Sequence, residues 1–383
     1  MPLRSKKILY AVSILAGSII GVGIFGLPYI ASKVGFWPIF FYLCGGAIIV
    51  LAVHLIYSQI IIARNRNERL PGQVNDVFGK KWGTLVFINF LLGLFASQLV
   101  YIIVGGKFLY GLVNLFYPAS LTLCSLIFFV FGSFLIYKDI EYIAQAEFLM
   151  LIFLILIVFV IFFLSIPKIN IANFARYDLK NIFLPYGIVI FSFWGTSILP
   201  EFIEMLAGKK RKKNQDINKE ATRANIYAIL ISLFTYLFFV IAVLGVSGAM
   251  TSMEAFEGLK PFFSQKIMYA AYLFGFLCVF TSFLASGLTI KKCFIFDYKL
   301  SNKLSFILST SIPIFLFFLN FQNFISIINF IGNFTFGIAG ISIFALYLKL
   351  KKTKKIKNYL FSNYTVYAMM ILFLSGIILC FKK

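Results

Sequence analysis

The chain has 383 residues, of which 61% are hydrophobic and only 13% charged, where a soluble domain averages roughly 45–50% apolar and about 25% charged residues. So much apolar surface has no place in a water-soluble fold of this size, which excludes a soluble enzyme. The net charge of +22 raises a nucleic-acid binder as an alternative, and the position of the charges decides that question below. Cys44, Cys124, Cys278, Cys293 and Cys380 stand singly with no CxxC pair. Four fall within apolar runs and Cys293 borders one, a pattern of neither a zinc site nor a disulfide framework. The first apolar run is long enough to span a membrane and no small-residue cleavage motif follows it, so no cleaved signal peptide is expected.

Runs of about 20 mostly apolar residues mark spanning helices. They predict eleven, at about 8–31, 37–63, 84–106, 119–137, 143–166, 182–206, 224–249, 267–290, 305–319, 324–348 and 360–380. Polar, Lys-rich or Pro-marked connectors separate them, such as Arg64–Lys81 and Lys209–Arg223. The expectation is an all-α integral membrane protein forming one transmembrane domain over 1–383. Loops on the side of the amino terminus hold most of the 35 basic residues, including the blocks at Lys209–Lys213 and Lys351–Lys355. Cytoplasmic loops carry such an excess, which predicts a cytoplasmic amino terminus and, after eleven spans, an extracellular carboxy terminus in the cell membrane. The charge is thus a topology signal that also favours anionic lipid head groups on the cytoplasmic face, and a nucleic-acid role falls away.

The first span contains Gly17-Ser18-Ile19-Ile20-Gly21-Val22-Gly23-Ile24-Phe25-Gly26-Leu27-Pro28. Each glycine in a helix interior costs up to about 1 kcal/mol against alanine, so an unbroken helix is expensive here. An unwound segment at membrane depth is tolerated only where it lines a cavity. It would offer free N–H groups to a carboxylate and free carbonyls to a cation. The alternative is close helix packing through Gly17-x-x-x-Gly21. The sixth span carries Phe191-Ser192-Phe193-Trp194-Gly195-Thr196-Ser197-Ile198-Leu199-Pro200-Glu201, again small and polar residues before a proline in mid-span. Spans one and six are corresponding members of two five-helix halves, and matching interruptions point to a transporter binding site. In the eighth span, Thr281 and Ser282 would suit a hard cation that prefers oxygen, unless each hydroxyl bonds a carbonyl of its own preceding turn.

The segment 17–28 resembles the first-helix signature of amino-acid permeases of the APC superfamily. The Pro200-Glu201 segment, the eleven spans and the Thr281-Ser282-Phe283-Leu284 stretch are similar to its amino acid/auxin permease branch, and most of all to bacterial aromatic amino-acid permeases. The resemblance implies the leucine-transporter fold. That is a 5+5 inverted repeat (about 8–166 and 182–348) with spans one and six discontinuous, plus an extra helix at about 360–380. It implies a substrate carboxylate on the N–H groups of Val22 and Gly23, at the Gly21 turn with Ser18 beside it. It implies carbonyls near Phe191 to Gly195, through Phe193 and Trp194, for the substrate amino group. A coupling ion, Na+ or alternatively H+, would sit among Gly17, Ile20, Cys278, Thr281 and Ser282. No other cofactor is implied.

Ionisable groups inside spans are functional candidates by default. His54, the single histidine, is expected to be packed rather than a proton relay. Glu147 is expected to snorkel, as is Lys107 at the outer end of span three. Glu201 is the preferred gating or coupling carboxylate. Tyr101 and Gln98, in mid-span three, are expected on the same cavity, and Phe191, Phe193 and Trp194 would pack an apolar or aromatic substrate side chain. An embedded enzyme would need a nucleophile–base pair or a metal cluster, and neither HExxH nor GxSxG occurs. A channel would need a repeated polar pore lining, which is also missing. The reading is a cation-coupled permease importing neutral, hydrophobic or aromatic amino acids by alternating access; the alternative is an amino-acid sensor, or an exchanger without ion coupling.

Overall fold

The computed structural model describes residues 3–65, 68–114, 116–138, 143–175, 177–208, 214–356 and 360–381. The basic block 209–213 and the side chain of Glu147 lie outside the described residues. Secondary structure among those described is helical, with one isolated antiparallel bridge between Gly35 and Tyr177.

The first apolar run is two helices, α1 (Leu3–Ile19) and α2 (Gly23–Val34), bent by 53° at the intervening break. Next come α3 (Phe36–Arg64), a short α4 (Leu70–Phe78), α5 (Lys80–Val113), α6 (Leu121–Tyr137) and α7 (Ile143–Ser165). The sixth run is also divided, into α8 (Pro185–Phe193) and α9 (Leu199–Ala207). Then follow α10 (Asn214–Ser247), α11 (Gln265–Tyr298), α12 (Asn302–Phe318), α13 (Phe324–Phe330), α14 (Phe336–Lys352) and α15 (Asn363–Phe381). A π turn, Ile331–Thr335, joins α13 to α14.

Eight helices among the described residues are long and apolar enough to cross a membrane, nine with α1 and α2 counted as one bent span. The apolar helices α6 and α12 have 17 residues each, close to the lower limit for a span. Helices α5 and α11 run on to Val113 and Tyr298, past the predicted ends near 106 and 290, and two further features depart from the sequence expectation. The connector after α3 is not simply polar chain but contains α4, which starts at Leu70 with Pro71 in its first turn and packs on α5 and α14. Helix α10 begins at Asn214, well before its apolar run, because neither Pro nor Gly interrupts the polar turns that precede it.

The helices pack in two groups. Helices α1, α2, α3, α8, α9 and α10 form one connected group and α5, α6, α11 and α12 a second, with α13 and α14 touching both, α13 on α8 and α5 and α14 on α3 and α5. The two broken spans therefore face the second group.

Candidate functional site

At the first break, Ile20 N–H closes the last turn of α1 on the Ala16 carbonyl at 2.8 Å, and Gly21 N–H turns back to the Ile19 carbonyl at 2.9 Å. The N–H groups of Val22 and Gly23 have no backbone acceptor among the described residues. Helix ends leave such groups orphaned, and a positive helix end aimed at an open space suits an anion. Gly23 also answers a packing need. A Cβ there would lie 2.5 Å from Ser192 Oγ and 2.9 Å from Ser192 Cα, so α2 meets α8 almost backbone to backbone.

At the second break, Trp194 is extended (φ −74°, ψ 112°) and Gly195 follows at φ −126°, ψ 18°. Pro200 then opens α9 in its first turn, where its missing N–H costs nothing. The proline restarts a helix rather than kinking one. Two side chains from neighbouring helices hold this geometry. Nε2 of His54, on α3, accepts the Gly195 N–H at 3.1 Å, so His54 is a packed histidine with a structural task. The Tyr236 hydroxyl, on α10, lies 2.6 Å from the Ser192 carbonyl and 3.0 Å from the Ile19 carbonyl.

Between the two groups of helices lies a cavity of about 240 Å³. Gly17, Ser18, Ile20, Gly21, Val22 and Gly23 line it from the first break, Phe191 and Trp194 from the second, and Tyr101 from α5. Cys278, Thr281 and Ser282 line it from α11. The structure thus brings together most of the residues singled out in sequence. Two are turned away. Phe193 is fully buried with its ring on Tyr236, 5.0 Å between centroids, because its side chain leaves the helix on the face opposite the cavity. Gly195 packs against Ile19 and His54, and its N–H is already engaged. Gln98 does not line the cavity either. Its Nε2 donates to the Phe283 carbonyl and Ser286 Oγ, both at 2.7 Å, tying α5 to α11.

On α11, the Thr281 and Ser282 hydroxyls both donate to the Cys278 carbonyl at 3.1 Å. That is the local bonding expected of hydroxyls in an apolar helix, and it leaves their oxygen lone pairs for a further donor or cation. The first break is close by: a Cβ on Gly21 would lie 3.8 Å from Ser282 Oγ. The two hydroxyls and the first break thus lie side by side on the cavity wall.

One wall of the cavity is aromatic. Trp194 stacks on Phe336 with centroids 4.5 Å apart and planes at 9°, and Phe191 lies parallel to Phe336 at 5.9 Å. Phe336 escaped the sequence reading because nothing distinguishes it among 49 phenylalanines. Asn89, on the same wall, could have been found as a lone amide in an apolar span.

One ion pair lines the cavity and a second lies further along α5. Arg69 meets Glu201 at 3.1 Å, and both line the cavity on the face where Lys7 approaches Gly208. This pair joins α9 to the start of α4, which is seated on α5 and α14. Toward the opposite face, Lys107 meets Glu254 at 3.2 Å. Lys107 therefore does not snorkel to the membrane surface, because a buried carboxylate lies within its reach. Beneath that pair, Phe25 sits edge-on to Phe108 at 4.8 Å and to Phe256 at 5.4 Å. All three rings are buried.

A bundle of apolar helices with two broken spans on an internal cavity defines a membrane transporter of the leucine-transporter type. Solved structures agree. Mhp1, a nucleobase-cation-symport-1 family transporter in a closed conformation with bromovinylhydantoin bound, superposes with a TM-score of 0.67 at 14% identity, covering 97% of this chain and 91% of that one. The inward-facing conformation of Mhp1 gives 0.67 at 13% identity over 97% and 87%. The manganese transporter of Eremococcus coleocola gives 0.68 at 14% identity over 99% and 87%. Likeness at such identities carries the fold and not the cargo. No match is found among curated proteins. The profile of the tryptophan/tyrosine permease family matches residues 4–381, and the chain belongs to that family.

Proposed function

We propose that this protein is a secondary active transporter that imports neutral, hydrophobic or aromatic amino acids together with a cation. The observation that carries the reading is the pair of helix breaks meeting across one cavity. The free N–H groups of Val22 and Gly23, beside Ser18 and Gly21, take the substrate carboxylate. Carbonyls at the second break take the amino group, and the wall formed by Phe191, Trp194 and Phe336 receives the side chain. Gly17, Ile20, Cys278, Thr281 and Ser282 supply oxygens for Na+, with H+ as the alternative coupling ion. The family to which the chain belongs supports the aromatic substrate class.

In this reading the chain crosses the membrane eleven times, α6 and α12 included, as a 5+5 inverted repeat with α15 added. The amino terminus and the Arg69–Glu201 pair are cytoplasmic, and the carboxy terminus and the Lys107–Glu254 pair face outward. Transport proceeds as the α1, α2, α8 and α9 group moves against the α5 and α11 group around a fixed site. The ion gradient acts by binding one facing state better than the other. Glu201 is then a gating residue: its exposed pair with Arg69 is weak enough to form and break in each cycle.

The test is uptake into proteoliposomes of labelled tryptophan, tyrosine, phenylalanine and leucine under an imposed Na+ or H+ gradient. Gradient-driven uptake of at least one is expected. Substrate binding without net uptake would favour the sensor or exchanger reading, and neither binding nor uptake of any neutral amino acid would sink the proposal.

A further inference from the structure

We propose that Arg69 and Glu201 form a second, inner subsite for the charged backbone of a zwitterionic amino acid, which enters by exchanging partners with their ion pair. The inference rests on the amino-acid transport reading above and deepens it.

Among the described residues lining the cavity, Arg69 and Glu201 are the only ones with charged side chains. Arg69 Nη2 donates to Glu201 Oε1 at 3.1 Å. The two side chains are 32% and 47% exposed and both border the cavity, so a small ligand inside it can reach them. Glu201 is six residues past Gly195, roughly 10 Å of helical rise. The pair therefore stands about one amino-acid length from the second break, at the far end of the same space. Tyr57, Leu70, Ile198 and Pro200 line the cavity as well. Leu70 adjoins Arg69 in the chain, and Ile198 and Pro200 flank Glu201, so an apolar side chain would meet apolar neighbours there.

A zwitterion carries the same two charges as the pair. Its carboxylate takes the Arg69 fork, whose geometry suits two parallel bonds to a carboxylate. Its ammonium group takes the Glu201 carboxylate. Every charge then has a partner and the net charge is unchanged. A half-exposed ion pair contributes only about 0–1 kcal/mol, so little opposes the exchange. A ligand with one charge would leave either Arg69 or Glu201 without a partner, which favours zwitterions over simple amines and acids. The exchange also has a mechanical consequence. Arg69 heads α4, seated on α5 and α14, whereas Glu201 lies on α9 in the other group of helices. The ligand thus undoes a contact between the two groups as it arrives.

The experiment reads Arg69 directly in the full chain, purified in detergent. Phenylglyoxal adds to accessible guanidinium groups, and peptide mass spectrometry reports its addition at Arg69 alone. The rate is followed against tryptophan concentration, beside binding of labelled tryptophan to the same preparation. Tryptophan should protect Arg69 with a midpoint about tenfold or more above the binding midpoint, because half-exposed charges bind weakly. Indolepropionate, which lacks the ammonium group, should protect about tenfold less well, the effect of one charged hydrogen bond. Glu201→Gln removes the partner of that group and should raise the tryptophan protection midpoint by about the same factor. Protection that follows the binding curve, or none at saturating tryptophan, overturns the proposal without any variant having to fold. So does equal protection by indolepropionate, or an unshifted midpoint in Glu201→Gln. Binding of tryptophan without a separate protection step removes this inference alone, whereas no uptake or binding of any neutral amino acid removes the transport reading itself.

Discussion

The hydroxyl of Tyr236 lies 2.6 Å from the carbonyl of Ser192, at the end of the first half of a broken span. The same hydroxyl is 3.0 Å from the carbonyl of Ile19, the last residue of α1. A helix end leaves its final carbonyls without intrahelical donors, and lipid offers none. One buried phenol, with a single proton to share, thus serves two half-helices whose ends would otherwise be orphaned. His54 does the complementary work at the Gly195 N–H. The two breaks are fastened to each other on the side away from the cavity.

Tyr236→Phe removes that donor while keeping the ring. It should destabilise the protein by about 1–3 kcal/mol, the cost of a buried group left unpaired, read as a lower midpoint of thermal unfolding in detergent. Because the loosened segments form the site, substrate affinity should fall as well. Unchanged stability and unchanged affinity would mean that the breaks hold themselves.

Gly23→Ala adds one methyl where a Cβ meets the Ser192 backbone at 2.9 Å. Overpacking of this kind costs about 1–3 kcal/mol, and the backbone it displaces carries the proposed carboxylate donors. Purified variant protein should lose substrate binding measured by calorimetry. By contrast, Gly45→Ala, where a Cβ meets nothing within 4 Å, should bind as wild type does.

The two ion pairs should respond differently. Glu201 and Arg69 are 47% and 32% exposed at the side chain, and such pairs contribute about 0–1 kcal/mol. Glu201→Gln should therefore leave the melting temperature almost unchanged while altering the rate of transport. The Glu254 side chain is only 9% exposed, and removing one member of a buried pair strands the other charge. Lys107→Met should lower the melting temperature clearly, and Lys107→Met with Glu254→Gln should restore much of it. Additive effects in that double-mutant cycle would show that the two residues are not coupled.

Thr281→Ala and Ser282→Ala together remove two oxygens from the place proposed for the cation. Their present bonds run to the Cys278 carbonyl of the same helix, so the fold should survive the change. Loss of sodium-dependent uptake is expected. If sodium stimulation persists at wild-type level, the cation lies elsewhere.

Much of this was legible in one dimension because the relevant forces are local. An apolar run of sufficient length has to cross the bilayer. Four glycines and a proline within residues 17–28 weaken the helix that contains them, and Gly195 and Pro200 do the same in the sixth span. Helix ends therefore fell near the predicted places. The exceptions are α10, whose polar first turns carry no hydrophobic signal, and α5 and α11, which run on to Val113 and Tyr298 beyond their predicted ends.

What remained hidden depends on pairs far apart in the chain. Phe193 and Trp194 look equivalent as neighbours, yet one packs on Tyr236 and the other on Phe336, since successive helical side chains leave in different directions. Gln98 read as a cavity residue until its partners on α11 fixed its direction. Lys107 read as a snorkelling lysine until Glu254 arrived from a distant loop. The sequence by itself determined the class of protein, its apolar helices and where two of them break, through hydrophobicity and helix propensity acting within a few residues. Only the tertiary structure decided which side chains those breaks face and which distant charges pair, because those contacts join residues far apart in the chain.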